Sequence, residues 1–317
     1  FAKKVIAFHA AEDGKVADVM MKLALARADD GRAILVFLRR VEDVQELASK
    51  LPHGATVTLT GTMRGLERER LREHPVFARF DPRSPVPAAN VRKGTVYLVA
   101  TSAGEVGVDL SADDVVCDLT PFDSMAQRLG RVNRFGLGEA RVDVVHEASL
   151  ASLKETSDDE AKEDDGAGYG AEEAATKPKS RLALLERSRG RTFRLLQLLP
   201  RTEHGLDASP SSLSSLPEVE RVAAYSPAPR VLPTTDVLLD AWALTSIRAP
   251  IPGRPPVAEW LHGVAEWEPP ETQIAWRAEV DTQVTEEPRT LLELHPLKPH
   301  ELLKEPSDRA FKHFETL

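Results

Sequence analysis

Short apolar runs alternate with segments of helical spacing through the first 150 residues. Apolar residues at positions 41, 44, 47, 48 and 51 have the spacing of an amphipathic helix, and residues 14–27 and 65–74 predict two more helices. The apolar runs predict strands at residues 5–8, 33–38, 56–60, 95–100, 115–119 and 142–145. Continuous apolar strands are typical of parallel sheets covered on both faces. The alternation therefore predicts an α/β fold, with a parallel sheet and helices on both of its faces.

The pattern changes after residue 150. Residues 151–179 are acidic and glycine-rich, which predicts a disordered linker. Residues 181–199 predict an amphipathic helix that Pro200 ends, and the Ser/Pro-rich residues 200–235 predict irregular structure. We therefore expect three parts: an α/β domain over 1–150, a linker over 151–179, and a smaller, mostly helical or irregular C-terminal extension over 180–317.

Composition and charge narrow the class of protein. Apolar residues make up 42% and charged residues 29%, as in soluble globular proteins, and no apolar run approaches the roughly 20 residues that span a bilayer. The single cysteine, Cys117, lies in an apolar run and predicts a buried thiol in a cytoplasmic protein without membrane partners. The chain begins at Phe1 without a signal sequence, so we expect a fragment of a longer protein. Net charge is −9, but the first 150 residues carry 21 basic and 21 acidic residues, so the excess lies after them.

The most informative stretch is residues 127–136, QRLGRVNRFG. Arginine binds phosphate through two parallel N–H groups and keeps its charge. A predicted helix begins near Phe122 and carries the glutamine. Two arginines three residues apart share one face of a helical turn, so Arg131 and Arg134 can reach into the same space. A polyphosphate is the natural occupant of such a pair, whereas a solvated arginine face would not explain the glutamine and the glycines.

A second informative stretch, TSAGEVGVDL, occupies residues 101–110 and follows a predicted strand. The two stretches resemble motifs V and VI of superfamily 2 helicases, in the Q-R-x-G-R-x-N-R-x-G form found in CRISPR-associated type I helicases. They occur in the same order as in that family, separated by one predicted strand and the start of one helix. Residues 235–244 and 255–263 resemble the C-terminal extension of the type I-G (I-U) subgroup. The resemblance implies a RecA-like second helicase lobe over residues 1–150.

This resemblance implies half of an ATP site. Arg131 and Arg134 correspond to the arginine fingers that meet the γ-phosphate when two lobes close. The resemblance assigns further nucleotide contacts to Gln127, Arg128, Gly104, Gly107 and Asp109. Within this set, Arg128 is the residue that could instead brace the helix, and Asp109 could either contact the ribose or orient motif VI. ATP is the implied cofactor, with Mg²⁺ held mainly by the first lobe.

The resemblance also implies contacts to a nucleic-acid backbone. The residues concerned are Thr101 and Ser102 in motif V, Thr60, Gly61 and Arg64 in the turn after the third predicted strand, and Arg39 after the second. Simple strand-end turns and surface arginines would explain the same residues. Implied partners are single-stranded DNA, the first RecA-like lobe of the same protein, and a CRISPR surveillance complex.

Residues that are absent from the sequence also constrain the activity. No G-x-x-x-x-G-K-[ST] phosphate loop and no strand-borne D-E-x-H/D box occur, so we expect the fragment alone to be inactive as an ATPase. The histidines lack metal-ligand spacing, and no metal site is expected.

Three interpretations of the chain remain open. They are the CRISPR helicase lobe, a lobe of another superfamily 2 helicase or remodeller, and a non-catalytic nucleic-acid or protein-binding module. The four tryptophans at positions 242, 260, 267 and 276 either pack a proline-rich domain or stack on nucleobases. Packing is the interpretation we favour.

Overall fold

The computed structural model describes residues 2–105, 108–151, 181–229, 231–247, 254–255, 257–261, 270–276, 290 and 293–316. The chain divides into two compact units, Phe1–Ser226 with Trp276–Leu303, and Pro227–Ala275 with Lys304–Leu317. Residues 152–179 of the predicted linker lie outside the described residues. The predicted domain bounds therefore stay a prediction.

The first unit is built on an eight-stranded sheet. Its strands are β1 (Lys3–Ala11), β2 (Ala33–Phe37), β3 (Thr56–Leu59), β4 (Val96–Ala100), β5 (Asp114–Asp118), β6 (Glu139–Glu147), β7 (Arg201–Thr202) and β8 (Gly205–Asp207). They lie in the order β3-β4-β2-β5-β6-β1-β8-β7. The first six strands pair in parallel throughout, which confirms the predicted α/β sheet.

Helices cover both faces of this sheet. They are α1 (Val16–Leu25), α2 (Val41–Lys50), α3 (Gly65–Leu71), α4 (Phe122–Leu129), α5 (Ala148–Ala151), α6 (Arg181–Gln197), α7 (Pro210–Ser214) and α8 (Glu218–Ala223). Alternate residues of β2 enter two separate cores, because successive side chains on a strand point to opposite faces. Ile34 packs with Met20 of α1 and Val44 of α2, whereas Phe37 packs with Met125 of α4. Burial of these runs on both sides explains why they lack polar residues.

Residues 200–235 are more regular than their composition predicts. Strands β7 and β8 form an antiparallel hairpin, and β8 pairs with β1 through Ile6 and Leu206. The prediction of irregular structure was wrong here because serine and proline act as helix starts: Ser209 caps α7, and Pro210 occupies its first turn. The hairpin also covers β1, which would otherwise be an exposed edge.

Gly205 permits this edge pairing. Its φ is +149°, and a Cβ at this position would lie 2.3 Å from the Ile6 carbonyl oxygen. We expect Gly205→Ala to lower the free energy of unfolding by about 1–3 kcal/mol, because the hairpin must move away from β1. Urea unfolding followed by circular dichroism measures this, with Gly54→Ala as the control because a Cβ there meets nothing within 4 Å. A loss below about 0.5 kcal/mol, the usual size for a surface change, would contradict the prediction.

The second unit is smaller. Its described elements are α9 (Asp236–Ala243), α10 (Ala258–Leu261), β9 (Glu271–Ile274), β10 (Leu303–Pro306) and α11 (Ser307–Phe314). Trp242 and Trp260 pack edge to face at 5.3 Å between ring centroids. Their indole N–H groups donate to the carbonyl oxygens of Pro255 and Pro233. These two tryptophans therefore pack proline-rich segments, as the favoured interpretation predicts, whereas Trp267 lies outside the described residues.

Candidate functional site

The predicted nucleic-acid contacts lie at the carboxyl ends of neighbouring strands. Thr60 and Gly61 follow β3, Thr101 and Ser102 follow β4, and Arg39 comes shortly after β2. Because β3, β4 and β2 are adjacent and parallel, their carboxyl ends meet at one edge of the sheet. The Thr101 N–H donates to the Leu59 carbonyl oxygen at 3.1 Å and ties the first two loops together. Residues from three separate stretches of sequence thus share one edge.

The residues of the loops after β3 and β4 differ in solvent exposure. Thr60 and Thr101 are buried, and their hydroxyls have local partners: Thr60 Oγ1 lies 3.1 Å from Thr62 Oγ1, and Thr101 Oγ1 accepts the Ala103 N–H at 3.5 Å. Gly61 and Ser102 are exposed. Of these four residues, Gly61 and Ser102 are therefore the two that a ligand can reach in the present conformation.

Two arginines border the same edge. Arg39 pairs with Asp118 through Nε and lies 3.4 Å from Glu147 through Nη2, yet 41% of its side chain is exposed. The adjacent carboxylates outweigh burial and raise the pKa of Arg39. Arg64 immediately precedes α3 and donates to Glu67 at 3.0 and 2.6 Å. Both arginines are therefore held in ion pairs.

Arg128 lies beneath this edge in the core. It is 2% exposed, and its guanidinium donates to Glu105 Oε1 and to the side chain and carbonyl of Asp118, all within 2.8 Å. Its guanidinium carbon also lies 5.0 Å from the centre of the Phe37 ring. Burial alone would lower the pKa of Arg128, but Asp118 reverses this and raises it. This geometry favours a bracing role for Arg128 over direct contact with a nucleotide.

Glu105 is a residue that sequence reasoning missed. Its carboxylate accepts bonds from Arg128 and from Ser124 Oγ, both on α4. Its carbonyl oxygen accepts two N–H groups of Arg131, at 3.1 and 2.6 Å. Motif V and motif VI are thus joined through one residue. Nothing in the sequence marks Glu105, because a glutamate in a glycine-containing loop is ordinarily exposed. The available sequence signal for a buried charge cluster here was Asp118, a carboxylate that ends an apolar strand.

The arginine pair does not lie on a helix. The predicted helix is present as α4, but it ends at Leu129, so the expectation that Arg131 and Arg134 share a helical face was wrong. Asn133 has a φ of +40°, which only Gly, Asn and Asp adopt readily. Its side-chain amide donates to the carbonyl oxygens of Lys3 and Gly138 at 3.0 and 2.6 Å. This turn, and not helical periodicity, positions Arg134.

The turn also lies at the other edge of the sheet. Asn133 bonds to Ala112, just before β5, and to residues at the starts of β1 and β6. Helix α4 begins after the carboxyl end of β5 and returns the chain to the amino end of that strand, so the arginine turn lies away from the carboxyl edge. Five residues of β5 at about 3.3 Å each place the two edges roughly 16 Å apart.

Asp109 faces the arginine turn. It pairs with Arg134 and lies 3.6 Å from Arg83. Arg131 is half-buried, and its pKa is lowered by burial and then by the charge of Arg134. An arginine remains charged under such shifts. Two neighbouring guanidinium groups with one carboxylate leave a local positive charge.

The remaining predicted nucleotide contacts differ in position. Gln127 is exposed on α4. Gly104 is buried, and a Cβ there would lie 3.1 Å from both Ala100 and Phe37, so its small size serves close packing. Gly107 lies outside the described residues. Among the described residues, no group of three or more His, Cys, Asp or Glu side chains is placed to hold a metal ion.

Taken together, the parallel sheet and the two motifs joined through Glu105 define the α/β domain in which the site lies. Residues 30–136 match the family model described as CRISPR-associated nuclease/helicase Cas3, C-terminal. This match confirms, for that segment, the predicted resemblance to the C-terminal region of a CRISPR-associated superfamily 2 helicase. The finer resemblance to type I-G extensions stays a prediction. A comparison with curated proteins found no match.

Solved structures of related description are also similar to the chain. Cas3 of T. fusca bound to AMPPNP is 18% identical, covers 48% of this chain and 19% of its own, and has a TM-score of 0.39. A chain of a pre-nicking CRISPR RNA-guided surveillance complex is 15% identical, with coverage of 71% and 25% and a TM-score of 0.43. The C-terminal domain of the DEAD-box protein Dbp5 is 21% identical, with coverage of 46% and 78% and a TM-score of 0.35. This chain thus spans less than a quarter of the T. fusca Cas3 chain.

One further property concerns membranes. Among the described helices, none combines the length and the apolar character that crossing a membrane requires.

Proposed function

We propose that this chain is the second RecA-like lobe and C-terminal extension of an ATP-dependent DNA helicase that acts in CRISPR interference. Its arginine turn would complete an ATP site shared with a first lobe, and its strand-end loops would hold single-stranded DNA. The match of residues 30–136 to the Cas3 C-terminal family supports the class. The observation that carries the mechanism is Glu105, which bonds both to α4 and to Arg131.

The residues of the arginine turn fit a nucleotide phosphate. Arg131 uses its Nε and Nη2 groups on the Glu105 carbonyl, so N–H groups of its five-donor fork remain for an anion. Arg134 is exposed, and within the described residues it forms an ion pair with Asp109. ATP, when bound, would supply a γ-phosphate that gains charge during transfer. Arg131 and Arg134 would stabilise this charge, and Gln127 would contact the same region.

Other assigned residues have supporting roles in this proposal. Asp109 holds Arg134 in place, and Arg128 braces α4, instead of both contacting nucleotide directly. The Mg²⁺ that such ATP sites use would be held mainly by the first lobe.

Nucleic-acid binding and the arginine turn would be mechanically coupled. Ser102 lies at the DNA-facing edge, and Glu105 follows it with its N–H bonded to the Ser102 carbonyl oxygen at 2.9 Å. Three residues after Ser102, the same chain segment therefore contacts both Arg128 and Arg131. A shift of the Ser102 loop on DNA would move the atoms that orient the arginines. This coupling is what a translocating motor requires.

DNA-dependent ATP hydrolysis by the full-length protein tests the proposal. We expect turnover to rise at least several-fold with single-stranded DNA, because DNA binding and the arginine turn share Glu105. The assay compares single-stranded DNA, duplex DNA and single-stranded RNA at equal nucleotide concentration. Stimulation by RNA alone would favour another superfamily 2 helicase, and an absence of hydrolysis under all conditions would favour a non-catalytic binding module.

A further inference from the structure

Trp276 differs from the other tryptophans of the described residues. Trp242 and Trp260 pack against each other and donate their ring N–H groups to prolyl carbonyls. Trp276 belongs to the first unit, and 61% of its surface is exposed. Exposing so large an apolar side chain is unfavourable, because tryptophan is among the most buried residues on average. The exposed part of the ring is open to a ligand.

The neighbour of Trp276 is a guanidinium group. The Arg64 guanidinium carbon lies 5.3 Å from the centre of the Trp276 ring, in cation–π contact. Two bonds to Glu67 hold Arg64 at the start of α3, so the guanidinium is restrained on one side of the indole. The ring is therefore supported by a charged, ordered side chain and still mostly open to solvent.

This pair lies beside the strand-end loops. Arg64 closes the turn that begins with Thr60 and Gly61 after β3, and Arg68 Nη2 donates to the Thr60 carbonyl oxygen at 3.3 Å. The start of α3 also packs closely on residue His300, since a Cβ on Gly65 would lie 2.9 Å from His300 Cβ. The described segment around His300, in the same unit as Trp276, thus packs against α3.

We infer that Trp276 is a stacking platform for an unpaired nucleobase of single-stranded DNA, backed by Arg64. The inference rests on the proposed function, since the adjacent loop is the one assigned to the DNA backbone. An aromatic face beside backbone contacts is the arrangement by which proteins bind single strands without reading sequence. Arg64 contributes positive charge to a ring whose opposite face takes the base.

The test uses the full-length protein and two labelled oligonucleotides, an oligothymidylate and an abasic strand of equal length. Fluorescence anisotropy at low salt gives the dissociation constants. We expect Trp276→Ala to weaken oligothymidylate binding about tenfold, within the range for loss of one base–aromatic stack. Binding of the abasic strand should stay unchanged, because it has no base to stack, and Trp276→Phe should restore part of the loss.

Phe311→Ala is the matched control, because Phe311 is 62% exposed but belongs to the second unit. It should bind both strands as the unchanged chain does. Equal oligothymidylate affinity of Trp276→Ala and the unchanged chain would overturn the platform while leaving the proposed function intact. Failure of the unchanged chain to bind either strand would overturn the DNA-binding part of the proposed function and the platform with it.

Discussion

Alanine at Arg131 or at Arg134 is expected to lower the DNA-stimulated ATP turnover of the full-length protein by about 10³-fold or more. Both guanidinium groups would face charge that develops mainly during phosphoryl transfer, so their removal should lower kcat more than the affinity for ATP. The fold should survive. Arg134 is exposed, and the Arg131 side chain donates only to the Glu105 carbonyl oxygen among the described contacts.

Steady-state ATP hydrolysis with saturating single-stranded DNA measures this effect, and thermal unfolding checks the fold. Arg201→Ala is the control, because Arg201 is an exposed arginine on β7, at the far end of the sheet. Its turnover should match that of the unchanged protein. Wild-type turnover in both the Arg131 and Arg134 variants would remove the two residues from the proposed ATP site.

Replacement of Arg128 by methionine is expected to have the largest effect on stability. The change leaves Asp118 and Glu105 buried while removing the guanidinium that bonds to both. Breaking a buried ion pair by removing one partner typically costs about 3–5 kcal/mol. Urea unfolding at pH 7 measures the loss. Arg40→Ala, which removes an exposed pair with Asp43, should cost at most about 1 kcal/mol.

The stability lost on replacing Arg128 by methionine should also depend on pH. Burial raises the pKa of Asp118, but Arg128 and then Arg39 outweigh burial and hold it below its ordinary value. The unchanged protein therefore loses stability as pH falls through the folded pKa of Asp118. In the variant only Arg39 still opposes burial, so the pKa of Asp118 is expected to rise, and the cost of burying its charge is relieved as pH falls. The difference in free energy of unfolding between the unchanged protein and the variant should narrow from pH 7 toward about pH 4. A difference that stays constant over this range would contradict the role assigned to Asp118.

Local sequence signals located the elements of the α/β domain well. The apolar runs at 33–38 and 95–100 became β2 and β4, whose residues are all buried. The burial expected for Cys117 is also observed, and it raises the pKa of its thiol to about 12. These features follow from periodicity and from burial on both faces of a parallel sheet, which adjacent residues alone encode.

Contacts distant in sequence escaped prediction. The bond from Asn133 to Lys3 joins residues 130 positions apart, and the hairpin β7–β8 becomes regular because β1 offers it an edge. Neither partner is visible from the local pattern. Composition near residues 200–235 therefore predicted irregular structure where the tertiary environment supplies strand pairing.

The sequence by itself determined the α/β class, the order of the two helicase-like motifs, and the identity of the arginine pair, because each depends on residues close together in the chain. The tertiary structure decided how these parts are used. It ended α4 at Leu129, placed the arginine turn at the amino edge, buried Arg128, and linked both motifs through Glu105. It also left Trp276 exposed, whereas Trp242 and Trp260 pack against each other. The reason is that burial and pairing of charged and aromatic side chains depend on which distant segments the fold brings beside them.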